Sequence, residues 1–241
     1  MRGIVLLFLL SLWPGGNVDA INAEVLAKVV QEMRRFGLQG SQYAMAVLLT
    51  QDQCTNGANL RISEQPQNVQ KALKVNAVYT GKWLIAATPL KKVQAGRLDK
   101  TDHAEYRLLS PGNNNLSPMK TLINIAVRNA GQCIVFFSTY SPCLEKCNKP
   151  YGQYNILPLI EDNFKHIKDN NLKAFVFSSV WDPSKNHTGV TKPTKQLVLD
   201  SFRRIETYLP LYRCDRFKEN NKWVNRCYRC VNKPDDCLSG Y

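Results

Sequence analysis

Apolar residues along the chain fall into two spacings. From Val25 through Val29, Met33 and Phe36 they recur every three or four positions, which is the spacing of one helix face. Asn22 is placed to cap that helix and Gly37 to stop it. The same spacing returns at Met119, Leu122, Ile123 and Ala126 after Ser117-Pro118. It recurs at Ile156, Ile160, Phe164 and Ile167 within 155–169, and at Val198, Phe202, Ile205 and Leu209 within 193–209. Between these lie short unbroken apolar runs bounded by turn residues: 43–50 (YAMAVLLT), 83–90 (WLIAATPL), 133–139 (CIVFFST) and 174–181 (AFVFSSVW). Such runs predict strands. Two initial strands, then helices alternating with strands, predict an α/β domain around a largely central sheet. Residues 53–77 are polar, and no element is assigned to them.

The first twenty residues are patterned differently. Arg2 precedes an apolar stretch at 4–13 (IVLLFLLSLW), Pro14 and two glycines break it, and Val18-Asp19-Ala20 offers a cleavage site. This is the layout of a secretory leader, too short to span a bilayer comfortably. No later stretch is apolar enough to cross a membrane. With 241 residues, 44% of them hydrophobic, and no repeat or linker, one domain is expected. The organisation predicted is a leader at 1–20, a domain at 21–210 and a basic, cysteine-rich extension at 211–241.

Export changes the reading of the eight cysteines, because thiols outside the cytosol oxidise unless a metal or burial protects them. Asn115-Leu116-Ser117 and Asn186-His187-Thr188 are glycosylation sequons consistent with that route, the first weakened by Pro118. The formal charge is +13, and loss of Arg2 and Asp19 with the leader leaves it unchanged. A charge of that size favours polyanions, although solubility alone also accounts for it.

The chemistry sits in two short motifs. His103-Ala104-Glu105 is separated by 36 residues from Pro142-Cys143-Leu144-Glu145-Lys146-Cys147. Each half alone is weak; together they match the zinc-deaminase signature of one His, two Cys and a non-ligand Glu. Three protein ligands leave a fourth position on Zn2+ for water, whose pKa falls from about 15.7 towards about 7. Glu105 can then take the water proton and hand it to the ring nitrogen and the departing ammonia. Asp102 or Thr101 is expected to cap the helix that carries His103 and Glu105. Cys143 and Cys147 stand one residue further apart than in C-x-x-C. A helix starting at Pro142 would keep both on one face and put them near its positive end. The plainer alternative makes them disulfide cysteines and His103 an incidental surface residue.

Ser138-Thr139-Tyr140-Ser141-Pro142-Cys143 resembles the Ser-Trp-Ser-Pro-Cys stretch of the AID/APOBEC family, with Tyr140 replacing its tryptophan. Ser178-Ser179-Val180-Trp181-Asp182 looks like that family's loop after the fourth strand. A leader and extra cysteines are similar to the secreted AID/APOBEC-like deaminases. The resemblance implies a cytidine deaminase-like three-layer α/β/α fold with a mostly mixed five-stranded sheet, plus a disulfide-rich tail. It also implies that Tyr140 packs on the target base, with Ser141 beside it, and that Trp181 stacks on or walls the strand path. Both aromatics have a core alternative.

Setting aside Cys143 and Cys147, six cysteines remain: Cys54, Cys133, Cys214, Cys227, Cys230 and Cys237. They allow fifteen pairings, among them Cys54 with a tail cysteine, or a structural zinc held by the four tail cysteines. Arginines and aromatics interleaved in the tail suit a single-strand groove or a solvated cap. The function expected is hydrolytic deamination on single-stranded DNA or RNA or on a free nucleoside, and the family resemblance implies cytosine to uracil. The rival is a cationic nucleic-acid-binding protein whose zinc site is structural or absent.

Overall fold

The computed structural model describes residues 21–94, 97–112, 115–128, 132–185 and 188–241. The expected leader at 1–20, Asn186 and His187 lie outside them. Helix α1 (Ala23–Arg34) begins where Asn22 accepts the Glu24 N–H on its side chain. Gly37 ends its last turn, and the Tyr43 ring lies where any Cβ on that glycine would stand. Strand β1 (Ala44–Leu49) follows, then two short helices, α2 (Gln51–Thr55) and α3 (Pro66–Lys74), in the stretch the pattern left unassigned.

Strands β2 (Tyr79–Thr80) and β3 (Leu84–Ala87) return to the sheet. The strand expected over 83–90 breaks at Pro89, which has no N–H to give a ladder. Beyond it a separate hairpin forms from β4 (Leu90–Gln94) and β5 (Arg97–Asp102). Helices α4 (Ala104–Leu109) and α5 (Pro118–Arg128) lead to β6 (Cys133–Tyr140), then α6 (Leu157–Phe164), β7 (Lys173–Ser179) and α7 (Lys195–Glu206). The chain closes with β8 (Leu211–Glu219), β9 (Lys222–Arg229) and the single turn α8 (Pro234–Cys237).

The sheet has seven strands in the order β2-β3-β1-β6-β7-β8-β9, where five were expected. The difference comes from the tail, whose two strands join the sheet beside β7. Strands β6, β7 and β8 are parallel and the remaining pairs antiparallel. Both faces of the central strands are buried, which is why they read as unbroken apolar runs. Ala44, Ala46, Phe136, Phe175 and Phe177 face α4, α5, α6 and α7. Met45, Val47, Val135, Phe137 and Val176 face α1, α2 and α3. This is the three-layer α/β/α arrangement.

Three disulfides settle the cysteine pairing: Cys54–Cys133, Cys214–Cys227 and Cys230–Cys237. Cys54 therefore does not tie down the tail, and no zinc is held there, because the four tail cysteines pair with one another. The first bridge joins α2 to the start of β6 across 79 residues. By loop closure it contributes about 4 to 5 kcal/mol.

Arg213 on β8 clasps the terminus. It is 8% exposed, and its guanidinium donates to the carbonyls of Ser178, Asp236, Cys237 and Ser239. Lysine cannot reproduce that fork. Arg213→Lys should therefore lose about 2 kcal/mol of stability. Urea unfolding of the oxidised protein would show it as a lower midpoint at unchanged slope. A wild-type midpoint would mean that the clasp is dispensable.

Candidate metal centre and active site

The site forms where the parallel strands end, the position at which open α/β sheets gather their ligands. His103 sits at the start of α4, and Cys143 and Cys147 follow β6. His103 Nδ1 stands 3.2 Å from Cys147 Sγ and 3.7 Å from Cys143 Sγ, with the two sulfurs 3.7 Å apart. A tetrahedral zinc at ~2.3 Å from sulfur and ~2.0 Å from nitrogen needs about 3.8 Å between sulfurs and about 3.5 Å from sulfur to nitrogen. The triangle has those dimensions. A disulfide would bring the sulfurs to about 2 Å, and both cysteines are free.

Two features of the local backbone differ from expectation. His103 is itself the N-cap of α4, in place of Asp102 or Thr101. Its side chain makes no cap bond because the imidazole is turned to the sulfurs. No helix starts at Pro142; residues 144–148 are turns. The Asn148 N–H donates to the Cys143 carbonyl over a five-residue step, and the Cys147 N–H points to Cys143 Sγ. That turn is one residue wider than an α-helical turn, and this is how the extra residue between the cysteines is absorbed. With no helix there, the expected dipole of a helix begun at Pro142 does not act on the thiols. The Cys143 thiol is held at about 4 by hydrogen bonding to Cys147 and to His103, while the same bond and burial push Cys147 up. Two buried sulfurs this close cannot both carry a full negative charge unless a cation lies between them. A divalent metal meets that demand.

Glu105 is 1% exposed. Its Oε1 accepts the Ser138 hydroxyl at 2.5 Å, and its Oε2 has no hydrogen-bond partner among the described residues. Burial pushes the carboxyl above the ordinary carboxylate range, against the opposing pull of His103 and Ser138. Glu105 and His103 open on a cavity of about 200 Å³, walled also by Gln42, Thr101, Lys146 and Trp181. Ser141 reaches it too, and its hydroxyl oxygen accepts the Trp181 N–H at 3.0 Å. Tyr140 stands behind Trp181, the rings edge to face with centroids 5.4 Å apart, and opens on a different surface cleft with Arg34 and Lys74.

Ser138, Lys146, Gln42 and Thr101 were given no part in the site from the sequence. Ser138 was findable: it shares the inward face of β6 with Ile134 and Phe136, where a polar residue needs a buried partner. Of the two sequons, Asn115 is exposed in a turn with φ 58°, while the Ser117 hydroxyl is buried on Asn163 and caps α5.

A His-Cys-Cys triangle at the carboxyl end of a mixed sheet, beside a buried glutamate, is the arrangement of a deaminase able to hold a metal ion. The chain belongs to the family described as Secreted Novel AID/APOBEC-like Deaminase 1 (SNAD1), whose model matches residues 23–241. No curated protein and no solved structure matches it. Among the described residues no helix is long and apolar enough to cross a membrane.

Proposed function

We propose that the protein is a zinc-dependent hydrolytic deaminase that converts cytosine to uracil, with residues 1–20 serving as the export leader. Water adds at C4, ammonia leaves, and a carbonyl replaces the exocyclic amine. His103, Cys143 and Cys147 would hold the ion. When bound, zinc supplies Lewis acidity that lets a water molecule give up a proton near neutral pH.

The observation that carries the reading is Glu105: a buried carboxylate, anchored through one oxygen and open at the other, on the wall of the same cavity as the triangle. A raised pKa suits a group that must take a proton and return it in one cycle. Trp181, which lines the cavity, would stack on the base, with Tyr140 bracing it. Ser141 holds the Trp181 backbone. Lys146, on the cavity wall, suits a phosphorylated substrate. Among the described residues no fourth metal-ligating side chain joins the three, which favours an open coordination position over a purely structural site.

The test is ammonia release and uracil formation from cytidine and from cytosine-containing single-stranded DNA and RNA. Product from at least one is expected; none from any, with zinc bound, would refute the reading. Ser138→Ala should lower kcat by about 10- to 150-fold, the worth of a hydrogen bond to a charged group, while zinc content stays at the wild-type level. Unchanged kcat would show that Glu105 needs no such anchor.

A further inference from the structure

Strands β8 and β9 do more than extend the sheet. β8 pairs with β7 only from Leu211 to Arg213, opposite Phe175 to Phe177. β7 ends two residues later, at Ser179, whereas β8 continues to Glu219. Beyond Asp215 the two strands pair only with each other and form an arm whose base rests on α1. Because β6, β7 and β8 are parallel, the arm projects from the end of the sheet that carries Ser141, Cys143 and Trp181. It is stiffened at its base by Cys214–Cys227, which face each other in register. It closes through Asn220-Asn221, both at positive φ as a two-residue hairpin turn requires.

One face of this arm is unusual in composition. Trp223 stands directly opposite Lys218, and Asn225 opposite Arg216, so these four side chains share a face. Trp223 is 68% exposed, and Lys218, Arg216 and the adjacent Lys222 are exposed as well. Asn225 donates to Gln31 of α1, and Arg216 borders a surface groove with Lys28 of that helix and Arg35 at its C-cap. Glu32 lies in the groove but is paired to Arg35, and Asp215 is taken up by Arg34 and Arg213. The face thus offers a large flat ring set among cations that continue onto α1.

We propose that this hairpin face, Trp223 with Arg216 and Lys218, binds a single-stranded polynucleotide, with Lys222 adding charge at the tip from the opposite side of the strand. A base stacks on Trp223 and phosphates meet the cations, the combination that holds single strands without regard to sequence. A lipid surface is the poorer fit, because on its own face the ring is flanked by charge, and the neighbouring exposed apolar residue, Val224, is turned to the other side of the strand. The arm lies two strands across from β6, so it holds the strand at a distance from the reacting nucleotide. The inference rests on the deaminase reading only for what happens to that strand.

The test compares wild-type mature protein with Trp223→Ala, Trp223→Phe and Lys218→Glu/Lys222→Glu, using fluorescence anisotropy with long oligothymidylate, which contains no cytosine. Trp223→Ala should lose about 5- to 150-fold in affinity, and Trp223→Phe should recover most of it. The double charge reversal should flatten the log K against log salt slope by about 0.7 for each phosphate no longer neutralised. Turnover of free cytidine should be the same in all four proteins. Wild-type affinity in Trp223→Ala would overturn the proposal while leaving the deaminase reading untouched. Ring-dependent binding to phosphatidylserine vesicles without binding to the oligonucleotide would also overturn it. Ring-dependent oligonucleotide binding in a protein that deaminates nothing would uphold it and sink the deaminase reading instead.

Discussion

Glu105→Gln should reduce deamination by at least about a thousandfold, because one side chain both removes and returns the proton and such transfers are worth about 10²–10⁴ each. The amide has the carboxylate's shape, and its oxygen can still accept the Ser138 hydroxyl. The variant should therefore fold, and it should bind zinc as the wild type does. Its melting temperature should be equal or higher, since the substitution removes a carboxyl whose ionised form burial disfavours. Single-turnover assays with a cytosine substrate, alongside metal analysis and thermal melts, measure all three. Activity persisting in a zinc-loaded Glu105→Gln protein would take the proton-carrying role from this residue.

Cys147→Ser should empty the metal site and unsettle the fold around it. Cys147 is fully buried, and its carbonyl also accepts the Ile156 N–H, so the loop after β6 and the approach to α6 meet at this residue. An ion present at a thousandfold excess over its Kd contributes about 4 kcal/mol. For a domain of this size that corresponds to a loss of roughly 10 °C in melting temperature when the ion is removed. Chelator treatment of the wild type should give a similar shift, reversed by added zinc. A Cys147→Ser protein that retained one equivalent of zinc would place the ion elsewhere.

The sequence was readable where one physical signal dominated. Asn22 and the Val25–Val29–Met33 spacing marked α1, and the apolar runs marked β1, β6 and β7, because those segments face the core directly. His103, Cys143 and Cys147 were legible because few chemistries need that set of donors, and the structure brings them together. Reading failed where a partner distant in sequence decides the outcome. Helix α3 buries only Val69 and Leu73, too few for a periodicity to emerge from a polar background. The tail read as a basic, cysteine-rich extension, and no strand was assigned in it because its residues alternate cations with aromatics. Its place in the sheet depends on the edge that β7 offers. At Pro142 the local preference for a helix start lost to the sulfurs, which the site holds in a wider turn.

The seating of the last two strands has a consequence for how the chain can be shortened. A version ending near Leu209 would not be a trimmed domain. It would strip the neighbour from β7, leaving Phe175 to Phe177 with open backbone donors and acceptors along a flat apolar rim. Such a rim invites other chains to add themselves to it. The C-terminal hairpin is thus a seal as well as an arm, and protein engineered without it should be recovered as aggregate.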